Sequence, residues 1–250
     1  MIIIKTPHEI DLMRQAGKIT AGARTIARQM IEPGVTTLQI DKEVHRFIKK
    51  SGAVPSFLGY GGFPASACIS VNNVVIHGIP SKKQILKSGD IVSVDVGAFI
   101  GGFHGDNAYT YACGDISKEA RALLDATKES LYEGIKQAKA GNRIGDIGNA
   151  VQSYAEARSY SVVRDFVGHG VGAKLHEDPS VPNYGTPGRG VRLMPGMTIA
   201  IEPMITAGGY AVKVLDDDWT TVTADGSLAA HFEHTIAITP DGPVIMTIPD

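Results

Sequence analysis

The feature that most constrains this 250-residue chain is a repeat of pattern: two helical segments followed by strand-like segments occur twice, at a constant offset. Gly34 and Gly141, Ile40 and Ile147, Val44 and Val151, Phe47 and Tyr154, Gly89 and Gly196, Val94 and Ile201, and Asp95 and Glu202 each stand 107 positions apart. Residue class is kept across a helix and a strand. The spacing predicts one domain over residues 1–250, built of two halves of about 1–115 and 116–250 that pack around a pseudo-twofold axis.

The helices carry their own punctuation. Thr6-Pro7-His8-Glu9 reads as a capping box with proline at the first helical position, followed by Ile10, Met13, Ala16, Ala23, Ala27 and Met30 on one face up to Pro33-Gly34. Thr36 with Gln39 opens a second helix that carries Ile40, Val44, Phe47 and Ile48 and stops at Gly52. Ser117 opens a third, closed by Gly141, and Ile144, Ile147, Val151, Tyr154 and Ala155 mark a fourth. Apolar residues at 43% are enough for a core, and charged residues at 20% argue against disorder. With 24 Lys and Arg against 26 Asp and Glu, the chain lacks the basic excess of a nucleic-acid or anionic-membrane binder. No apolar run approaches the ~18 residues of a membrane span, and two cysteines, Cys68 and Cys113, make no disulfide framework. These features predict a cytoplasmic protein.

Two strands carry acids where strands rarely do. In Ile91-Val92-Ser93-Val94-Asp95-Val96 the valines share one face and Ser93 and Asp95 the other. The repeat partner Thr198-Ile199-Ala200-Ile201-Glu202 sets Ile199 and Ile201 against Ala200 and Glu202 in the same way. Asp106, in Gly105-Asp106-Asn107, and Glu233, in His231-Phe232-Glu233-His234, have similar surroundings. Four carboxylates converging from two facing halves repel one another, and each must take a proton unless a cation keeps it ionised. One divalent metal or a pair of them resolves the conflict. His169, in Gly168-His169-Gly170-Val171-Gly172, is a candidate nitrogen donor, and an oxygen-rich set with one imidazole suits Mn(II), Fe(II), Co(II) or Mg(II) better than a closed structural zinc site. Other chemistries are poorly supported: GxGxxG, P-loop, GxSxG, HExxH and CxxC patterns are all missing, and Cys68 with His77 shows no sign of an activated thiol.

The order Asp95, Asp106, His169, Glu202, Glu233, with Ile76-His77-Gly78-Ile79-Pro80, Gly102-Phe103-His104-Gly105-Asp106, His176-Glu177, Ile201-Glu202-Pro203 and Glu233-His234-Thr235, resembles the bacterial type I methionine aminopeptidases of the pita-bread metallopeptidases over the whole chain. The resemblance implies an α+β fold of two pseudo-symmetric halves around a curved antiparallel sheet. It implies two divalent metal ions per chain, Co, Mn, Fe or similar, with Asp106 and Glu233 bridging them, Asp95 completing one, and His169 and Glu202 the other. An activated water would then attack the first peptide bond, with Glu202 as proton shuttle, His176 donating to the developing oxyanion and His77 contacting the scissile amide nitrogen. Tyr60, Phe63, Cys68 and Trp219 would line the methionine pocket, with Leu175 a further position that could tune it. The implied substrates are nascent polypeptide N-termini with a small second residue. Contact with the ribosome is implied by the resemblance alone, since Lys82, Lys83 and Lys87 form only a modest basic cluster. A monomer that binds neither DNA nor membrane is expected. The acidic run Asp216 to Asp218 beside Trp219 has no counterpart in that pattern. Two rival readings are a proline-specific aminopeptidase on the same fold and a catalytically silent binding protein.

Overall fold

The computed structural model describes residues 1–249. Its four α-helices form where the caps stand. Helix α1 (Pro7–Met30) starts on Thr6, whose hydroxyl accepts the Glu9 N–H at 3.3 Å while the Glu9 carboxylate accepts the Thr6 N–H at 2.8 Å. Helix α2 (Thr37–Lys50) repeats the device with Thr36 and Gln39, and α3 (Lys118–Gln137) starts on Ser117. Helix α4 (Ile144–Glu156) starts without a side-chain cap of the Ser/Thr kind. There the Asp146 carboxylate accepts the Arg143 N–H at 2.7 Å.

The strands form four antiparallel sheets. In the first half, Ile91–Ile100 lies between Ala67–Val71 and Phe103–Ala112, with Val54–Pro55 pairing its far end. In the second, Thr198–Ile201 lies between Gly168–Gly170 and His234–Thr239. The offset of 107 holds at the level of register. Val54 pairs with Phe99 and Pro55 with Ala98, and the same pairs recur as Ser161 with Thr206 and Val162 with Ile205. Beyond that it fails. Val92 faces Tyr111 while Ile199 faces Ile236, because the first half turns back at once through Gly101 and Gly102. The second half makes an excursion of four short strands, Met204–Thr206, Val212–Val214, Thr221–Thr223 and Ala229–His231, before returning.

Each half has its own core. Val92, Val94 and Val96 pack with Ile40, Val44 and Ile48 of α2 and with Ala23 and Ala27 of α1. Ile199 and Ile201 pack with Leu123 and Leu131 of α3 and Ile147 of α4. The small residues on the buried face of α1 let it lie close on the sheet. A β-carbon at Gly105 would stand 2.8 Å from the Gly17 nitrogen, so helix and strand touch backbone to backbone there. The apolar faces thus turn outward to the helices, and Asp95 and Glu202 turn to the opposite side of their strands. No helix among the described residues is long and apolar enough to cross a membrane.

Candidate active site

The two halves join along a seam of polar contacts, and the seam brings the acids together. The Asp106 N–H donates to the Thr235 hydroxyl at 3.0 Å, which donates in turn to the Asp106 carbonyl at 2.8 Å. The Glu233 N–H donates to the Ala108 carbonyl at 2.7 Å, and the Thr110 hydroxyl to the His231 carbonyl at 2.8 Å. The Asn107 amide reaches the Glu233 carbonyl, and the Asn183 amide donates to that of Glu202 at 2.9 Å. Asp106 and Glu233 are therefore each held through their own backbone groups by residues of the opposite half. Glu202 falls just beyond its strand, which ends at Ile201, because Pro203 has no N–H to continue a ladder.

All five predicted ligands line one cavity with His77, His176, Tyr60, Phe63, Cys68 and Trp219. Donor atoms of Asp106, His169 and Glu233 lie within 4.8 Å of one another. The His169 Nε2 is 3.8 Å from Asp106 Oδ2 and 3.5 Å from Glu202 Oε1, and Asp95 lies close enough to Asp106 for that charge to raise it. Each of the four carboxylates carries a buried oxygen without a protein partner: Asp95 Oδ1, Asp106 Oδ1, Glu202 Oε1 and Glu233 Oε1. Uncompensated oxygens are costly inside a protein. Four of them lining one cavity with the His169 imidazole fit a divalent cation, and the donor set is hard and oxygen-rich. The imidazole is preset for the task, since its Nδ1–H donates to the Gly170 carbonyl at 2.8 Å and leaves the Nε2 lone pair facing the acids.

The titration of these groups follows from burial. Burial pushes Asp106 up to about 7, and burial followed by the charges of its neighbours raises Asp95, Glu202 and Glu233. Burial pushes His169 down to about 3 and His77 down to about 4, so both are neutral imidazoles at pH 7. Cys68 is opposite Asp95 in strand register, which sets a pocket wall directly beside a ligand. Burial and the nearby acids raise its thiol well above the usual range, so it is a protonated apolar wall and not a nucleophile.

Cys68, Phe57, Phe63 and Leu175 are buried in one cluster against Trp219, whose ring meets Phe63 edge-on at 5.1 Å. The cavity of about 180 Å³ is smaller than the ~300–1,000 Å³ of sites that enclose a drug-sized ligand, so it takes about one side chain. His77 stands at its mouth with φ of 58°, a left-handed backbone that a β-carbon disfavours. It is held there by Gly78, whose N–H donates to the Ser70 hydroxyl at 3.1 Å and whose carbonyl accepts from Ile69 at 2.8 Å. A β-carbon at Gly78 would come within 2.3 Å of the Ile69 carbonyl oxygen. His176 lies 4.0 Å from His169 between ring centroids, with its Nδ1 2.8 Å from the Tyr60 hydroxyl. Tyr60, expected as a pocket wall, thus also orients a histidine.

Three features were not read from the sequence. His231 is buried, with Nε2 unpartnered and 3.8 Å from Glu202 Oε2; it stands two residues before Glu233, and strand alternation alone could have placed it on the same face. Phe57 is a further wall. The Asp217 carboxylate accepts the N–H groups of Trp219 at 3.0 Å and Thr220 at 2.7 Å, so one member of the acidic run fixes the turn that presents Trp219. Asp217→Ala is expected to raise KM a few-fold for an apolar N-terminal residue with little change in kcat, the factor that ~1 kcal/mol of lost hydrogen bonding implies. Steady-state kinetics with a short peptide would show it.

Residues 11–240 match the model of metallopeptidase family M24. The chain belongs to this family. It is 56% identical to a methionine aminopeptidase of Clostridium perfringens over 248 residues, with 99% of each chain covered. The crystal structure of a methionine aminopeptidase from Thermotoga maritima superposes with a TM-score of 0.98 at 50% identity, covering 99% of this chain and 100% of that one. An Xaa-Pro dipeptidase from Bacillus anthracis, 24% identical, shares the fold alone, with a TM-score of 0.79 over 98% of this chain and 61% of its own. The fold is the pita-bread arrangement, and full-length similarity at half identity or more is to methionine aminopeptidases.

Proposed function

We infer that the chain is a metal-dependent aminopeptidase that removes the N-terminal methionine of nascent polypeptides in the cytoplasm, preferring a small second residue. The observation that carries this reading is the junction of four carboxylates with buried unpartnered oxygens and a cavity with apolar walls of about one side chain's size. Asp95, Asp106, His169, Glu202 and Glu233 would hold two divalent cations of the Mn(II), Fe(II) or Co(II) kind. When bound, such cations supply positive charge that makes water nucleophilic at neutral pH and polarises the scissile carbonyl.

The chain's own residues do the rest. Phe57, Phe63, Cys68, Leu175 and Trp219 seat the methionine side chain, and only a free α-amine fits the acidic end of the cavity. Glu202 takes the proton from the attacking water and passes it to the leaving amine. Its Oε1 has no protein hydrogen-bond partner, and its Oε2 lies 3.8 Å from the His231 Nε2. His176, with Tyr60 donating to Nδ1, presents Nε2–H to the oxygen that gains charge. His77, neutral and fixed by Gly78, meets the amide nitrogen of the bond being cut. The protein acts as a monomer, and the ribosome is where its substrates emerge.

Chelated protein supplied with Mn(II) or Co(II) should release methionine from Met-Ala and Met-Gly peptides and not from their acetylated forms. Faster cleavage of X-Pro peptides would instead favour the proline-specific relatives, and absence of turnover with every metal would favour a silent binding protein.

A further inference from the structure

Behind the cavity, the N-terminal segment crosses the loop that carries His176. The Lys5 ammonium pairs with Glu177 Oε2 at 2.5 Å, and both side chains are 3% exposed, which makes this a buried ion pair, unlike the pairs of Arg46 with Glu43 and Lys136 with Glu133 at the surface. The Lys5 ammonium also donates to the Ile3 carbonyl at 3.3 Å, and the Lys5 N–H donates to that of Gly196 at 2.8 Å. One residue further on, the Asp178 carboxylate accepts from the Met1 amine. The strap therefore grips the two residues that follow His176.

Glu177 closes that loop from within. Its Oε1 accepts the Lys174 N–H at 3.1 Å, and the Gly172 N–H donates to the Lys174 carbonyl at 3.0 Å. A β-carbon at Gly172 would lie 2.4 Å from Glu177 Oε1, so the carboxylate is packed against bare backbone. The Gly172 carbonyl accepts the His104 N–H at 2.9 Å, tying the turn to the strand that carries Asp106. His176 is the residue this turn presents to the cavity, and its only side-chain hydrogen bond among the described residues is to Tyr60, which is 45% exposed. Tyr60 alone is a weak anchor. The buried pair is the stiff one, because removing either partner strands a charge away from water.

We propose that Lys5 is a positioning residue for His176: by locking the Glu177 carboxylate it fixes the Gly172–Glu177 turn and sets the imidazole over the cavity. The proposal rests on the aminopeptidase reading for its kinetic consequence, but not for its structural one. Lys5→Met, Lys5→Arg and the double variant Lys5→Met with Glu177→Leu separate the two. In Lys5→Met, kcat for a Met-Ala peptide should fall about ten-fold or more, the scale on which ångström misplacement acts, with KM and bound metal unchanged. Lys5→Arg should recover most of the rate. The double variant, which buries no lone charge, should regain thermal stability but not kcat, since the turn has lost its closing carboxylate. In parallel, the His176 imidazole resonance, assigned with His176→Asn, should shift or broaden in Lys5→Met and return in Lys5→Arg. Wild-type kcat in Lys5→Met, or a kcat that recovers with stability in the double variant, would overturn the proposal. So would an unmoved His176 resonance, which is read even if the wild-type protein releases no methionine, a result that would count against the aminopeptidase reading instead.

Discussion

Asp106→Asn is expected to lose at least about a hundred-fold in methionine release together with much of its bound metal, because even the outer partners of metal ligands are worth ~10–100-fold and a ligand more. Asp106 is the acid through which the others are linked: it faces His169, and its charge raises Asp95, Glu202 and Glu233. An amide in its place keeps the shape and removes the charge. The same change should make the chelated protein more heat-resistant above pH 7, where the wild-type carboxyl must ionise in a buried place without a counter-charge. Metal analysis, kinetics and thermal melts on one preparation would check all three. Full metal content and an undiminished rate in Asp106→Asn would remove Asp106 from the centre.

His77→Ala is expected to lower kcat on the order of a hundred-fold, at the lower end of what a positioned acid–base group contributes, while metal content stays at the wild-type level. Among the described residues, no hydrogen bond or ion pair joins His77 to the proposed ligands. It meets Phe166 at 5.8 Å and Trp219 at 6.1 Å between ring centroids, and burial keeps it neutral, down to about 4. Its left-handed backbone shows that the fold holds it at a conformational cost, as functional positions often are held. Alanine there should relieve nothing, since the φ is set by Gly78 and strand Ala67–Val71. Loss of metal in His77→Ala would mean that its role is structural support of the centre, contrary to the assignment.

Much of this was legible in the residues, and the legible parts share a physical reason. Capping boxes at Thr6 and Thr36 are local signals that need only four residues to act, and α1 and α2 begin where they stand. Strand alternation is equally local, and Val92, Val94 and Val96 do face a core. The offset of 107 survived to the level of register in Val54 and Ser161 because each segment follows a helix of nearly equal length, 14 and 13 residues, that starts at the same offset, at Thr37 and Ile144. Two features escaped because they are set by chain segments distant in sequence. The seam of Thr235 with Asp106 spans 129 positions, and the Lys5 pair with Glu177 spans 172, with no local pattern to mark either. Asp217 looked like one charge in a run of three until the turn around Trp219 showed what its carboxylate accepts.

The pH dependence of stability separates the buried carboxyls from the buried histidines. Asp106 is raised from 3.8 to about 7, so its contribution is present below 3.8 and lost as pH rises through about 7. The buried histidines act oppositely. His169, His231 and His234, each lowered from 6.5 to about 3, contribute above 6.5 and lose that contribution as pH falls through about 3. Just above pH 6.5 the histidines have finished while Asp106 still loses its contribution up to about 7, and Asp95, Glu202 and Glu233, also raised by burial, act in the same direction. The chelated protein should therefore lose thermal stability between pH 6.5 and about 7, and the gain on adding metal should grow over the same interval.

The central claim is that the five residues hold divalent cations whose binding makes the cavity an aminopeptidase site. Its most direct test is a calorimetric titration of Mn(II) or Co(II) into chelated protein near pH 7, in buffers of different ionisation enthalpy, with methionine release from Met-Ala-Ser followed on the same samples. Uptake accompanied by release of protons from the raised carboxyls, with rate rising in step with occupancy, is the predicted result. Full turnover in excess chelator, or metal uptake with neither proton release nor any gain in rate, would contradict it.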